Sequence, residues 1–229
     1  MNIMPNKIHP TCIIEGQVEI GSGNEIGPYS VIYGPIKIGD GNLIGPHVVI
    51  GTPGQDTREP RYDSSDSYIE IGNNNIIREF TAIQKPRYRD ITQIGHDTFI
   101  MQSVHVPHDA IIQDGAVITP MVAMGGVVQI LKGATLALGC SLHQFTVVGH
   151  YAFVAMEAAV TRNIRPFSRY VPGSPATVNE YAIKKYGFES VSDQIEDYVL
   201  KSIMPHDENL AALILEFDTL TAASSRKTY

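Results

Sequence analysis

A repeat of six residues is the feature of this sequence that most constrains its fold. Every sixth residue of one long stretch is apolar without exception: Ile94, Ile100, Val106, Ile112, Ile118, Met124, Ile130, Leu136, Leu142, Val148, Val154 and Val160. An α-helix would place apolar residues three and four apart, and a half-buried strand would place them two apart. A period of six is typical of a parallel β-helix, in which three flat faces of six residues complete one coil. Residues eighteen apart in sequence then stack on successive coils, about 4.8 Å apart.

The same period begins near the N-terminus and is interrupted twice. It passes first through eight isoleucines: Ile8, Ile14, Ile20, Ile26, Ile32, Ile38, Ile44 and Ile50. It returns at Ile71, Ile77 and Ile83, and the interruptions predict loops outside the rod at residues 52–68 and 84–93. Stacked repeats bury a continuous core that no single repeat could form alone. We therefore predict a mostly β protein in which residues 1–176 form a parallel β-helix of six-residue repeats.

A short α-helical region is predicted after the rod, over residues 177–229. The apolar spacing changes to three and four residues in the segments Val178–Lys185, Val191–Met204 and Asp207–Ala222. Asp207 or Asn209 could cap the last helix, because a side-chain oxygen at that position accepts a hydrogen bond from a free backbone N–H. The terminal segment, residues 224–229, is expected to be frayed.

The composition argues against several classes of function. A net charge of −7 over 229 residues disfavours a partner that binds through a phosphate backbone, so no nucleic-acid partner is expected. No apolar run reaches the roughly 18 residues that a membrane span requires, and the first residues lack the apolar core of a signal peptide. We therefore expect a cytoplasmic protein without a transmembrane segment. Its two cysteines, Cys12 and Cys140, are expected to be buried and reduced.

Chemically useful side chains fall in phase with the repeat. Residues His105–Asp109 read His-Val-Pro-His-Asp, and His108, Gly126 and Gln144 follow one another at intervals of eighteen residues. In a three-sided coil these three residues lie in one column on consecutive coils. Acyl transfer needs such a grouping, because a base takes the proton of the acceptor hydroxyl and an N–H group receives the developing oxyanion. Histidine suits the base because imidazole titrates near neutrality.

The hexads and the motifs together resemble a known family. Besides His105–Asp109, the motifs are Gly125-Gly126, His143-Gln144-Phe145, and Val178-Asn179 followed by Gly187-Phe188. The hexads resemble those of the hexapeptide-repeat acyltransferases, whose rod is a left-handed β-helix. The motifs are similar to those of one subgroup, the acyl-carrier-protein-dependent UDP-N-acetylglucosamine O-acyltransferases of lipid A synthesis.

The resemblance implies roles for individual residues. His108 matches the family's general base, Asp109 the carboxylate that orients it, and Gly126 the glycine whose N–H receives the oxyanion. The substrate-binding residues that it implies are Gln55, Asp56, Arg58, His105, His143, Gln144, Asn179 and Lys185. Of these, Asp56 and its neighbours match a loop that holds the sugar and phosphate, and His143 and Gln144 match residues near the diphosphate.

The resemblance also implies the substrates and the assembly. The acceptor would be a nucleotide-linked amino sugar, foremost the 3-hydroxyl of UDP-N-acetylglucosamine. The donor would be a thioester of acyl-carrier protein or of coenzyme A, and no bound cofactor or metal is expected. The family is a homotrimer whose active sites lie in clefts between rods, so a homotrimer is expected here.

Several residues depart from the family pattern, and Lys185 stands where the family has an arginine. Val127 stands where the family commonly has a histidine, and Tyr181 and Tyr186 stand where it has glutamate and arginine. The run Gly173–Pro175 differs in a region that is linked to acyl-chain length. The same rod and base could therefore acylate an amino group of a nucleotide-linked amino-deoxy sugar instead.

Two remoter alternatives come from other classes. One is a zinc enzyme similar to the γ-class carbonic anhydrases, with ligands from His105, His108 and His143 or a neighbour on adjacent rods. The other is a non-catalytic scaffold trimer. Three further histidines with no evident partner in the sequence are interpreted as surface residues: His47, His96 and His150.

Overall fold

Short strands make up most of the chain. The computed structural model of the protein describes residues 4–56, 58, 66–224 and 226–229. Within them the strands are, in chain order, β1 (Lys7–Ile8), β2 (Ile13–Glu15), β3 (Val18–Ile20), β4 (Glu25–Ile26), β5 (Val31–Tyr33), β6 (Ile36–Ile38), β7 (Leu43–Ile44), β8 (Val49–Thr52), β9 (Tyr68–Ile71), β10 (Ile76–Ile77), β11 (Ala82–Gln84), β12 (Ile91–Ile94), β13 (Phe99–Ile100), β14 (His105–Val106), β15 (Ile111–Ile112), β16 (Val117–Ile118), β17 (Ala123–Met124), β18 (Gln129–Ile130), β19 (Thr135–Leu136), β20 (Ser141–Leu142), β21 (Val147–Val148), β22 (Phe153–Val154), β23 (Ala159–Val160), β24 (Ser168–Tyr170) and β25 (Thr177–Val178).

The strands form three sheets, which are the three faces of one rod. The first sheet stacks β1, β4, β7, β10, β13, β16, β19, β22, β24 and β25. The second stacks β2, β5, β8, β11, β14, β17, β20 and β23, and the third stacks β3, β6, β9, β12, β15, β18 and β21. The stacked strands pair in parallel up to β24, which pairs with β25 in the antiparallel sense. The mostly β fold, a left-handed parallel β-helix followed by a few helices, is confirmed.

The hydrogen-bonding register reproduces the sequence period. Ile94 pairs with Ile112, one coil further along the rod. Stacked residues are 18 apart on a complete coil, as for Asn24 and Asn42, but 33 apart from Asn42 to Asn75 and 23 apart from Asn75 to Thr98. The additional residues are the two loops that leave the rod.

The ends of the two loops are set by the neighbouring strands. The first loop lies between β8 and β9, and its residues 57 and 59–65 lie outside the described part of the chain. The second loop comprises residues 85–90 and is shorter than the predicted 84–93. It ends earlier because Ile91, Thr92 and Gln93 extend the ladder opposite β9.

The apolar residues in phase fill the interior of the rod. All twelve from Ile94 to Val160 are at most 4% exposed. Ile8 and Ile14 are 39% and 37% exposed, because they lie on the first described coil at the end of the rod. The two thiols are free, and Cys140 is fully buried as expected, whereas Cys12 on that first coil is only half-buried.

A ladder of asparagines runs through one corner of the rod. The Oδ1 atom of Asn24 accepts hydrogen bonds from the backbone N–H and the amide of Asn42, both at 2.9 Å. The Oδ1 atom of Asn42 does the same for Asn75, at 2.9 and 3.0 Å. The ladder ends at Thr98, which donates from its backbone and its hydroxyl to Asn75. These side chains satisfy buried backbone groups that the turn leaves without a strand partner.

Helices of the described residues follow the rod at the predicted places. They are α1 (Glu180–Tyr186), α2 (Ser192–Lys201) and α3 (Glu208–Ala222), with a 3₁₀ turn at Glu189–Val191 before α2. Asp207 caps α3 by accepting the Leu210 N–H at 2.9 Å. The helices pack on the rod through a cluster that includes Tyr151 and Phe167. In the described part of the chain no helix is long and apolar enough to span a membrane.

The prediction of a frayed terminal segment was wrong. The backbone of Asn163 accepts a hydrogen bond from the Tyr229 N–H and donates one to the Lys227 carbonyl, both at 2.8 Å. The Tyr229 ring packs edge-on against Tyr170, with centroids 4.6 Å apart. The segment adds an extended strand-like edge to the last coil, so its free backbone groups find partners that the sequence pattern does not reveal.

Candidate active site

His108 and Gly126 lie directly above one another on consecutive coils. The Val127 N–H donates to the His108 carbonyl at 3.1 Å, and the Phe145 N–H donates to the Gly126 carbonyl at 3.0 Å, so the column continues to Gln144. The imidazole of His108 covers Gly126 so closely that a Cβ there would lie 2.2 Å from Cε1. Among the described residues the Gly126 N–H has no hydrogen-bond acceptor. A base and an unoccupied N–H donor therefore lie side by side.

The carboxylate of Asp109 fixes the orientation of His108. Its Oδ2 atom lies 2.7 Å from Nδ1 of His108, and the side chain is fully buried. Its Oδ1 atom accepts the consecutive backbone N–H groups of Arg87, Tyr88 and Arg89 at 2.9, 3.1 and 2.9 Å. Such a row of N–H groups forms a concave anion site.

The same contacts keep Asp109 ionised. Burial on its own would raise the pKa of this carboxyl, but the hydrogen bonds from His108 and from the backbone of residues 87–89 outweigh burial, and the pKa lies below its ordinary value. An ionised Asp109 accepts the Nδ1 proton of neutral His108. The Nε2 atom is then the one that can take a proton from a substrate.

Asp56 faces this reactive nitrogen. Its Oδ1 atom lies 3.6 Å from Nε2 of His108, and its Oδ2 atom accepts the hydroxyl of Tyr88 at 2.7 Å. Nε of Arg87 is 3.3 Å from the same Oδ2 atom. Arg87 and Tyr88 were not identified from the sequence, although the second loop was recognised as a break in the repeat.

His105 lines the site from the neighbouring strand. It lies on β14, which pairs with β11 and β17, and its side chain is partly buried. Burial lowers the pKa of His105, and a backbone hydrogen bond with Met124 opposes that effect in part. Its Nε2 atom is buried without a hydrogen-bond partner among the described residues. A neutral imidazole is therefore available to a polar group of a ligand.

Comparison with known proteins identifies the family. The profile of a family described as bacterial transferase hexapeptide (six repeats) matches residues 18–52. An acyl-[acyl-carrier-protein]–UDP-N-acetylglucosamine O-acyltransferase of Gloeothece citriformis is 36% identical over 179 residues, which are 76% of this chain and 57% of that protein. The enzyme of the same name from Herminiimonas arsenicoxydans is 32% identical over 177 residues, 73% of this chain and 66% of that protein. The chain belongs to the hexapeptide-repeat acyltransferases.

Solved structures agree with this assignment. A UDP-N-acetylglucosamine acyltransferase from Bacteroides fragilis superimposes with a TM-score of 0.80 at 25% identity, over 100% of both chains. The enzyme from Campylobacter jejuni shares the fold, with a TM-score of 0.78 at 21% identity over 97% of this chain and 98% of that one. The sequence matches span 57% and 66% of the length of the two curated acyltransferases.

The terminal segment adds a side chain next to two of the predicted site residues. His143 and Gln144 are exposed, and Arg226 lies over both. Its Nη2 atom is 2.5 Å from Nδ1 of His143, and its Nε donates to the Gln144 carbonyl at 3.1 Å. Ser224 donates to the carbonyl of Phe145 at 2.8 Å and fixes the segment there. Arg226 was not predicted, because it follows His143 by 83 residues.

Asn179 and Lys185 lie at the start and in the last turn of α1, which packs on the rod. The Asn179 amide donates to the Tyr151 carbonyl at 2.8 Å, and its Oδ1 atom caps α1. Lys185 is exposed, with Nζ 4.9 Å from the centre of the Tyr186 ring, and Tyr186 packs on Tyr151. Their contact with a nucleotide stays a prediction.

The first loop brings Gln55 and Arg58 to the surface near Asp56. Gln55 and Asp56 form the turn that follows Gly54, whose Cα approaches His108 so closely that a Cβ would lie 3.0 Å from Cδ2. Arg58 is exposed, and its neighbours in sequence lie outside the described residues. Both side chains stay predicted substrate ligands.

The residues that depart from the family pattern, Val127, Tyr181 and Tyr186, differ in their burial and in their contacts. Val127 is 8% exposed and takes a left-handed backbone conformation with φ of 63°, so a small apolar side chain fills the place beside His108's column. Tyr181 is 69% exposed, whereas Tyr186 packs against Tyr151 with centroids 4.7 Å apart. Tyr181 is thus free to meet a ligand, and Tyr186 is part of the helix packing.

His150 is buried, so its interpretation as a surface residue was wrong. It is 1% exposed beneath α3, and its Nε2 atom lies 3.3 Å from Oε2 of Glu216. Burial lowers the pKa of His150 to about 4, although the Glu216 carboxylate opposes the shift. His47 and His96 are exposed as expected, and His47 stacks between the rings of Tyr29 and Phe80.

A zinc centre finds no support within a single chain. No group of three or more histidine, cysteine, aspartate or glutamate side chains in the described residues could hold a metal ion. His108 instead covers Gly126 and contacts Asp109 through Nδ1.

Proposed function

We propose that this protein transfers an acyl group from an acyl-carrier-protein or coenzyme A thioester to a nucleotide-linked amino sugar. The acceptor favoured is UDP-N-acetylglucosamine, the substrate for which the similar enzymes are named, and the hydroxyl proposed is the one at position 3. One observation carries the proposal: His108, oriented by the ionised Asp109, lies beside the free N–H of Gly126.

This geometry supports direct transfer without a covalent enzyme intermediate. The Nε2 atom of His108 takes the proton of the acceptor hydroxyl as its oxygen attacks the thioester carbon. The Gly126 N–H stabilises the negative charge on the carbonyl oxygen in the tetrahedral intermediate. The intermediate then expels the thiolate, which His108 reprotonates. Asp109 stabilises the imidazolium during these steps and stays ionised.

The binding residues extend the proposal to the nucleotide. Asp56 lies beside the base, and together with Gln55 and His105 it would hold the sugar. His143 and Gln144, joined by Arg226, would lie near the diphosphate, since a guanidinium binds phosphate oxygens in pairs. Asn179 and Lys185 would meet the nucleotide from a neighbouring rod.

Reconstitution tests the proposal directly. Purified protein is incubated with UDP-N-acetylglucosamine, or with a nucleotide-linked amino-deoxy sugar that carries a free amine, together with acyl-carrier-protein thioesters of several chain lengths, and the products are identified by mass. We expect an acylated nucleotide sugar that loses its acyl group in mild alkali, as an ester does. An alkali-stable product would show an amide and N-acylation instead. If the protein is a folded trimer and yet forms no product from any donor with either acceptor, the proposal is refuted.

The assembly belongs to the same proposal. We infer a homotrimer that acts in the cytoplasm. Light scattering of purified protein should give about three times the chain mass of 25.1 kDa. Cell fractionation of the native protein checks the location. A mass near that of one chain under assay conditions would contradict the trimer.

A further inference from the structure

The second loop, residues 85–90, holds two components of the candidate site together. Its backbone N–H groups from Arg87 to Arg89 bind the Asp109 carboxylate, which orients His108. The loop thus cannot shift without releasing the carboxylate that positions the base. No role was assigned to its side chains from the sequence.

The side chains of the same loop hold the first loop. The Tyr88 hydroxyl donates to Oδ2 of Asp56 at 2.7 Å, and Arg87 Nε lies 3.3 Å from that oxygen. The Arg87 guanidinium lies over the Tyr88 ring, 5.4 Å from its centre. The hydrogen bond to Asp56 raises the pKa of Tyr88, so the phenol stays protonated and remains a donor. Asp56 is therefore held by one neutral donor and one cation.

Tyr88 also contacts the base. Its ring meets that of His108 edge-on, with centroids 5.6 Å apart and planes at 69°. These contacts form a closed chain. Nδ1 of His108 contacts Asp109, which binds the loop backbone at Tyr88, and the Tyr88 side chain binds Asp56, which faces Nε2 of His108. A displacement of Tyr88 would therefore change the contacts of both imidazole nitrogens, that of Nδ1 with Asp109 and that of Nε2 with Asp56.

We propose that Tyr88, supported by Arg87, is a positioning residue that holds Asp56 beside Nε2 of His108 and thereby orients the acceptor sugar. The inference rests on the proposed function, because it takes Nε2 as the atom that meets the acceptor. A hydroxyl that reaches Nε2 passes beside Asp56, whose carboxylate accepts a hydrogen bond from a neighbouring hydroxyl of the same sugar. The placement of Asp56 then decides which hydroxyl lies against the base.

The first test is Tyr88→Phe, which removes only the hydroxyl and keeps the ring on His108. Because a hydrogen bond to a charged group is lost, we expect the KM for UDP-N-acetylglucosamine to rise about tenfold, with kcat changed less than about threefold. The matched control is Tyr29→Phe, an exposed tyrosine on another corner that stacks on His47. Both variants should keep the wild-type Tm, and the control should keep both kinetic constants.

A double-variant cycle tests whether Tyr88 acts through Asp56. In an Asp56→Ala background the substitution Tyr88→Phe should change the acceptor KM less than about twofold, since the partner of the hydroxyl is already gone. An equal rise in KM with and without Asp56 would show that Tyr88 does not act by holding this carboxylate, and would overturn the inference.

A spectroscopic measurement separates this inference from the proposed function. Histidine labelled with ¹⁵N in the ring is incorporated, and the His108 signal among the eight histidines is assigned by its loss in His108→Gln. Tyr88→Phe should move the His108 ring signals in the protein without substrate, and Tyr29→Phe should not. If the signals move but the wild type acylates no nucleotide sugar, the proposed function fails and the link between Tyr88 and the base stands. If neither the signals nor the KM change, the link is refuted.

Discussion

The carboxylate of Asp109 binds both the His108 side chain and the backbone of the second loop. One oxygen holds Nδ1 of His108, and the other receives the N–H groups of residues 87–89. The backbone at Asp109 takes a left-handed conformation with φ of 61°, which turns the carboxylate back onto its neighbour in sequence. Two adjacent residues can therefore act as a pair that usually needs distant parts of a chain.

Replacing His108 by alanine should abolish most of the activity. Removing a general base lowers kcat by about 10²- to 10⁴-fold. Binding of UDP-N-acetylglucosamine should change little, because the imidazole meets only the reacting hydroxyl, and calorimetry on the same variant measures this. Wild-type turnover by His108→Ala would place the base elsewhere.

Replacing Asp109 by asparagine should lower kcat less than His108→Ala does. It should, however, lower the free energy of unfolding more than His108→Ala does. The amide still accepts the His108 proton through its oxygen, yet its NH₂ group cannot accept the N–H groups of the second loop. Leaving such buried donors unsatisfied costs about 2 kcal/mol of unfolding free energy. Urea unfolding compares this variant with His108→Ala, which should unfold near the wild-type midpoint. Equal midpoints for the two variants would show that Asp109 does not anchor the loop.

At the scale of elements, the coils are joined by polar side chains as well as by strands. Asn42 is 1% exposed and bonds to the coil on each side of it, through Asn24 and Asn75. Substituting it breaks the ladder in the middle, and both neighbours lose a buried partner. The corner is thus expected to be sensitive to single changes that leave the apolar core intact.

Asn42→Ala should lower the unfolding free energy by about 2–4 kcal/mol, because buried hydrogen-bonding groups are left unpaired and a small void is created. Urea unfolding followed by circular dichroism measures the loss. Asn209→Ala, on the exposed first turn of α3, is the control and should stay within about 0.5 kcal/mol of the wild type. A loss no larger at position 42 than at position 209 would contradict the role of the ladder.

His150 makes the contact between rod and α3 dependent on pH. Its pKa is lowered from 6.5 to about 4 by burial, so the unfolded chain binds a proton more readily than the folded protein between these values. Stability should therefore fall as pH drops from 6.5 towards 4, by at most about 3 kcal/mol from this group. His150→Gln should lose less stability than the wild type between pH 7 and 4.5 in urea unfolding. Parallel losses in both proteins would exclude His150 as the source.

Contacts between residues at the spacing of the repeat could be predicted from the sequence, whereas contacts between segments far apart along the chain could not. The hexad phase predicted the burial of Ile94 to Val160, and the interval of eighteen placed His108 over Gly126, because neighbouring coils repeat a local pattern. The burial of His150 depends on α3 crossing it, and the position of Arg226 depends on docking of the terminal segment. Neither contact leaves a periodic signal. The Asp109–loop contact was also missed, since backbone N–H groups carry no side-chain signature.

At the scale of the whole molecule, different corners of the rod present different functional groups. Asp109, Val127 and Phe145 have φ of 61°, 63° and 64° at one corner, and each sits beside a member of the His108 column. Left-handed conformations of such residues are unfavourable alone, but the hydrogen bonds between coils stabilise them here. The apolar interior holds the coils in register, so each corner presents functional groups at the spacing of the coils.

The two groups of predicted substrate ligands lie at different corners. His108, Gly126 and Gln144 form one column, whereas Lys185 lies over Tyr186, which packs on Tyr151. Tyr151 lies at another corner, where its N–H donates to the Lys132 carbonyl of the preceding coil. A face of six residues separates the corners by roughly 20 Å. We therefore expect His108 and Lys185 to contact one sugar nucleotide from two adjacent rods of the proposed trimer.

Complementation between inactive variants tests this arrangement. His108→Ala lacks the base and Lys185→Ala lacks the predicted nucleotide contact, so each trimer alone should show little activity at low acceptor concentration. When the two chains are co-expressed with different tags and mixed trimers are purified, a site is intact wherever an unaltered His108 of one subunit faces an unaltered Lys185 of the next. Every mixed trimer contains both variants and therefore has one such site among its three, so about a third of wild-type kcat/KM should return. Mixed trimers no more active than the separate variants would mean that both residues act within one chain, or that Lys185 does not contact the acceptor.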